Sequence, residues 1–268
     1  MLAAFQQPAS YPTRRSTSVA VTTLQRHYNE LMAKICTFAS RKGGVGKSTL
    51  AYETAYLLDA VLIDLEWDGG SASRRWGYRP ELRTRDSMLE SLEHQRPPKP
   101  LRGFKKPALV PGSNQLVDVG LDADAWADRL GEWAESFGRE WVVIDTHPGA
   151  SPSAHGAMAA AHVICSPAGL RTEDLNAVEQ LVSEMADYPL AIVPNMVRRV
   201  PPAAELNRLA SIVEGTPVRV APPIPFSTPI ETRKRRMAMT AEDPIPKRLA
   251  GAVAAFGDLA DFVKEYAE

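Results

Sequence analysis

The residues best able to do chemistry stand in one run, Lys42-Gly43-Gly44-Val45-Gly46-Lys47-Ser48-Thr49. Gly43, Gly44 and Gly46 let a backbone wrap closely around an anion, and successive N–H groups at a helix start supply positive potential for it. Lys47 is spaced to reach the β- and γ-phosphates of a nucleotide, the Ser48 hydroxyl suits Mg2+, and Thr49 can touch a neighbouring phosphate. The run departs from the common phosphate loop, G-x-x-x-x-G-K-[ST], in one place. Arg41 stands where the first glycine belongs, and a second lysine, Lys42, follows it.

Such a loop works between a buried strand and a helix, and the flanking sequence supplies both. KICTFAS (34–40) is apolar, GKSTLAYETAYLLDA (46–60) places Leu50, Thr54, Leu57 and Leu58 roughly on one face, and VLIDL (61–65) is a second apolar run ending in acid. Strand, loop, helix and strand make a βαβ unit, which requires a parallel sheet. Further strands are expected at 108–113, 141–149, 162–168, 190–197 and 218–226, with helices at 125–138, 172–188 and 245–268. The pattern predicts one α/β domain over 34–268, a doubly wound, mostly parallel sheet with helices on both faces. Residues 1–33 read as a flexible N-terminal arm carrying one short helical pattern from residue 21 onward.

Composition narrows the function. The 268 residues carry a net charge of -1, so no global field draws the chain to nucleic acid, and any DNA contact must come from a local patch. Cys36 and Cys165 sit in apolar runs and provide neither a disulfide framework nor metal-ligand spacing. No apolar run approaches the roughly 20 residues that a membrane helix needs.

The string KGGVGKST resembles the deviant Walker A motif of the ParA/MinD family of ATPases, most closely the ParA-type DNA partition proteins. The resemblance spans about residues 34–268. It implies ATP and Mg2+ as cofactors and a homodimer in the ATP state. In that family the early lysine, Lys42 here, reaches the nucleotide of the partner subunit, while Lys47 serves its own. VLIDLEWDGGSAS (61–73) resembles the family's second motif, D-x-D-x-Q-x-x-x-S. Asp64 matches the first acid, Glu66 replaces the aspartate that orients the attacking water, and Asp68 replaces the glutamine. With Lys42 and Lys47, Asp64 and Glu66 form the implied catalytic set, and the longer Glu66 predicts slow hydrolysis. VVIDTHPG (142–149) resembles the Walker B strand, so Asp145 is implied to hold Mg2+ through a water, together with Ser48. His147 departs from that pattern; it is read either as a switch-loop group or as a structural histidine. The ATP site is implied to comprise Lys42 to Thr49, with Val45 within the loop, and Asn195, Pro225 and Phe226 about the adenine.

Basic residues in the C-terminal part bind DNA without sequence preference in ParA-type proteins. The matching run is Arg233, Lys234, Arg235 and Arg236. The resemblance therefore implies nonspecific DNA binding, a ParB-like stimulating partner, plasmid or chromosome segregation, and a cytoplasmic, nucleoid-associated protein. The alternative is a MinD-like ATPase or cargo-positioning scaffold at a membrane or protein surface. Residues 249–268 carry a formal -3, which repels anionic lipid, so no stable membrane association is expected.

Overall fold

The computed structural model describes residues 33–68, 71–82 and 87–268, so the expected arm lies almost wholly outside the described residues. The elements are β1 (Lys34–Phe38), α1 (Lys47–Leu57), β2 (Val61–Asp64), α2 (Ser71–Trp76), α3 (Ser87–Glu93), β3 (Ala108–Val110), α4 (Ala123–Ser136), β4 (Trp141–Asp145) and α5 (Pro152–Ala159). There follow β5 (Val163–Ala168), α6 (Thr172–Met185), β6 (Leu190–Pro194), α7 (Ala203–Val213), β7 (Arg219–Val220), α8 (Thr228–Glu231) and α9 (Ala250–Tyr266). The strands form one sheet in the order β3-β2-β4-β1-β5-β6-β7. Each pairing between these strands is parallel.

Alternation along the strands feeds cores on the two faces of the sheet. Cys36, Phe38, Leu62 and Val143 pack with Leu50 and Ala51 of α1 and Phe256 and Leu259 of α9. Their neighbours Ile35, Val61, Ile63, Val142 and Ile144 pack with Trp126, Leu130 and Trp133 of α4. Period-two side chains on strands this apolar are what helices on both faces require. Both cysteines are buried and free.

Several elements differ from the sequence expectation. β7 spans two residues rather than nine, because Pro222, Pro223 and Pro225 have no N–H to give a ladder. The C-terminal helix starts at Ala250, not 245; before it, the Leu249 N–H closes a turn on the Pro246 carbonyl. α5 and α7 were not expected. The first carries a sequence signal, since Ser151 caps the Ala154 N–H and Pro152 occupies the first turn.

Candidate functional site

β2, β4 and β1 are adjacent, so their C-terminal ends bring Asp64 opposite Asp145 and Asp145 opposite Phe38. The glycine loop leaves β1 at that same edge, where open parallel sheets bind ligands. Gly46 enters α1 with a φ of +86°, and a Cβ there would lie 2.3 Å from Asn195 Nδ2. Both the backbone conformation and the space therefore demand glycine.

Lys47 is 4% exposed. Its Nζ donates to Asp145 Oδ1 at 2.8 Å and to the Thr146 carbonyl, and lies 3.7 Å from Glu66 Oε1. Asp64 is fully buried and accepts the Ser73 N–H at 2.7 Å and the Glu66 N–H at 3.1 Å. Asp64, Glu66 and Asp145 each offer a carboxylate oxygen within 4.8 Å of the others. Asp145 Oδ2 is buried and accepts no hydrogen bond among the described residues. Clustered hard oxygen donors with an unsatisfied member fit Mg2+, with Asp145 and the adjacent Ser48 hydroxyl placed to hold it.

Burial pushes the Asp64 carboxyl up to about 7, with the Asp145 charge adding to it and the Ser73 and Glu66 N–H groups opposing. Burial also raises Asp145, against the pull of Lys47 and Ser48. An unfolded aspartate titrates near 3.9, so the folded chain holds extra protons between about pH 4 and pH 7. More protons bound in the folded state means that stability from these groups is present at the acid end and lost as pH rises through that window. Calorimetry should therefore find the nucleotide-free protein losing melting temperature, relative to an Asp64→Asn variant, between about pH 4 and pH 7. A difference between the two proteins that is constant across that range contradicts this titration.

The loop lines a cavity of about 690 Å³ with Ser40, Glu66 and Pro148. Its remaining walls are cationic: Arg74 and Arg75 from α2, and Arg233, Lys234, Arg235 and Arg236 from the segment after α8. Sequence reasoning set the last four residues apart as a surface patch, but they share a cavity with the loop. Arg233 differs most from that expectation. Its side chain is 7% exposed and pairs with Glu242 at 2.5 Å. The segment is pinned to α1, since Glu53 accepts from the Met239 and Thr240 N–H groups and Tyr52 donates to the Arg236 carbonyl.

Lys42 stands at the rim with its side chain 48% exposed, donating to Asp174 Oδ1 at 2.9 Å on the first turn of α6. That bond raises the lysine further above its ordinary range. Asn195 donates to the Val45 carbonyl at 2.7 Å, so it braces the loop. With Pro225 and Phe226 it lines a small apolar slot that also touches Gly46 and Thr49. His147 stacks on Trp67 with ring centroids 3.6 Å apart and meets Asp68 Oδ2 at 3.2 Å, an arrangement that ties the two acid-ended strands together. Arg75 and Asp174 were not singled out from sequence. For Arg75 the signal was the Arg-Arg pair ten residues after Asp64; for Asp174 there was none.

No protein-family model matches the chain, and no curated protein matches it. Solved structures do. An ATP complex of McdA from Cyanothece superposes with a TM-score of 0.66 at 19% identity, over 88% of this chain and 96% of that one. A putative plasmid partition protein from Borrelia burgdorferi bound to AMPPNP gives 0.67 at 19%, over 87% and 99%. The MinD cell division protein of Aquifex aeolicus gives 0.65 at 17%, over 87% and 97%. The chain thus has the α/β fold of the ParA/MinD-type ATPases, to which its loop motif already pointed.

Proposed function

We propose that this chain is a ParA-like ATPase that binds Mg2+ and ATP at residues 42–49, dimerises in that state and then binds DNA without sequence preference. One observation carries the nucleotide reading. A glycine loop, a buried lysine and three clustered carboxylates converge on one cavity at the C-terminal edge of a parallel sheet. In the free chain Lys47 rests on Asp145 and Thr146. A phosphate on the loop competes with Asp145 for Lys47, which leaves Asp145 available to the cation. Mg2+, when bound, neutralises phosphate charge. Glu66, behind Lys47, is the group placed to polarise a water. Its extra methylene relative to aspartate supports slow turnover, stimulated by a ParB-like partner. Lys42, which exchanges its Asp174 partner at the rim for a phosphate, serves the partner's nucleotide.

DNA binding falls to the exposed members of the basic run, Lys234, Arg235 and Arg236, with Arg233 holding the segment in shape. Two copies present about six phosphate contacts, so affinity should drop by about 10³-fold between 50 and 200 mM salt. Plasmid or chromosome segregation, with the protein on the nucleoid in the cytoplasm, is the role this chemistry suits. The test is DNA retention with ATP, with ADP and without nucleotide across a salt series. ATP-dependent, sequence-blind and salt-sensitive retention supports the reading. ATP-driven dimers that ignore DNA at every salt concentration contradict the DNA half and favour a MinD-like role, read next by sedimentation with liposomes. Among the described residues no helix is long and apolar enough to cross a membrane.

A further inference from the structure

We infer that Arg75 is a phosphate-contacting residue of this chain's own nucleotide site, a second cation supplied in cis beside Lys47. The inference rests on the nucleotide reading above and assigns a residue that neither the loop motif nor the acidic motif contains.

Arg75 reaches the cavity from α2, the helix held to β2 by the bond from the Ser73 N–H to Asp64. Its Nη2 donates to Thr49 Oγ1 at 2.6 Å, which places the guanidinium against the last residue of the phosphate loop. That hydroxyl is neutral, and among the described residues no carboxylate pairs with Arg75. The acid that acts on it most strongly, Glu53, already accepts three hydrogen bonds, from the Met239 N–H, the Thr240 N–H and the Thr240 hydroxyl. Burial weakens the hold of Arg75 on its proton and the neighbouring Arg233 adds to this, while Glu53 and Asp145 oppose them only in part. A largely buried guanidinium with no ion-pair partner among the described residues, sharing a cavity wall with a second guanidinium, is electrostatically costly.

The geometry says what would relieve it. Arginine presents planar, forked donors suited to phosphate oxygens. Arg236 adds to the same wall, since its side chain lies across Gly77 at the end of α2. Lys47 approaches the cavity from α1 and Arg75 from α2, so a polyphosphate on the loop lies between two cations of one chain. Charge on the phosphate chain is then compensated before any partner subunit arrives.

The test is a titration with inorganic tripolyphosphate and with ATP, on wild type, Arg75→Ala and Arg75→Lys, with Arg199→Ala as an exposed cation outside the cavity. Arg75→Ala should weaken both ligands by about tenfold to 100-fold, the range expected for one or two charge-assisted bonds. Arg75→Lys should recover part of that loss, Arg199→Ala should bind as wild type, and the apparent salt dependence should become shallower in Arg75→Ala and in neither of these. Melting curves guard against misfolding. If Arg75→Ala unfolds early, Arg75→Gln decides the matter, because it keeps a donor for Thr49 and loses the charge: a phosphate contact predicts a shallower salt dependence in it, and a structural role predicts none. Wild-type affinity for both ligands in Arg75→Ala overturns the inference and leaves the nucleotide reading standing. Failure of wild type itself to bind tripolyphosphate and ATP overturns both.

Discussion

Lys47→Met should reduce ATP binding by about 100-fold or more and also lower the melting temperature of the empty protein. The first effect follows from the loss of charge-assisted bonds to two phosphates, each worth about 1.5–3 kcal/mol. The second follows from burial. Lys47 is 4% exposed and is the cation nearest Asp145 and Glu66, with Asp64 beside them. Removing one partner of a buried pair costs about 3–5 kcal/mol, because the remaining charge is left in a medium that cannot solvate it. The carboxyls have an escape, since Asp64 and Asp145 are already displaced toward the protonated form. The variant should therefore be closest to wild type in acid and fall furthest behind it at alkaline pH. Isothermal titration and a pH series of melting curves measure the two effects separately. Wild-type ATP affinity in Lys47→Met excludes the loop as the nucleotide site. A variant as stable as wild type at alkaline pH contradicts the picture of Lys47 as the balancing cation.

This dual role explains which parts of the site were legible in the sequence. The loop could be read because its requirement is local: three glycines and a lysine at fixed spacing meet the needs of a backbone wrapped on phosphate. β1, β2 and β4 could be read because each is a short apolar run buried on both faces, and the acidic ends of β2 and β4 marked the edge that binds. Convergence of Asp64 and Asp145 depends on strand order, with β4 inserted between β2 and β1. That order leaves no trace in residue spacing. The basic run shows the same limit more sharply. Four consecutive cations read as a DNA-binding patch apart from the loop, yet Glu53 and Tyr52 fasten their segment to α1, 180-odd residues away in the chain, and so carry it to the loop. Arg233 ended in a buried pair because Glu242 folds back beside it, a tertiary fact. Asn195 was singled out as an adenine contact after a late strand. Its amide donates to the Val45 carbonyl, and only the fold could reveal that partner.

Lys42→Ala should separate nucleotide binding from assembly. The side chain lies at the rim, about half exposed, and its present partner is Asp174 on α6. An exposed pair of this kind adds little to folding, so the melting temperature should match wild type. ATP should still bind, because Lys47 and the backbone of the loop are untouched. What should disappear is the ATP-driven dimer, seen by light scattering, together with turnover. A cation delivered from a partner to a phosphoryl group is worth about 10³-fold or more in rate. Asp174→Asn provides the complementary case. It removes the shorter of the two intrachain ion pairs of Lys42, leaving Glu173 at 3.7 Å, while keeping the charge that the partner's phosphates would attract, so dimers should form at least as readily as in wild type. A structural role for the Lys42–Asp174 pair predicts the opposite pattern, with both variants equally damaged and both less stable. Normal dimerisation and normal hydrolysis in Lys42→Ala would falsify the trans role outright, and the second lysine would then be no more than the rim half of a surface ion pair.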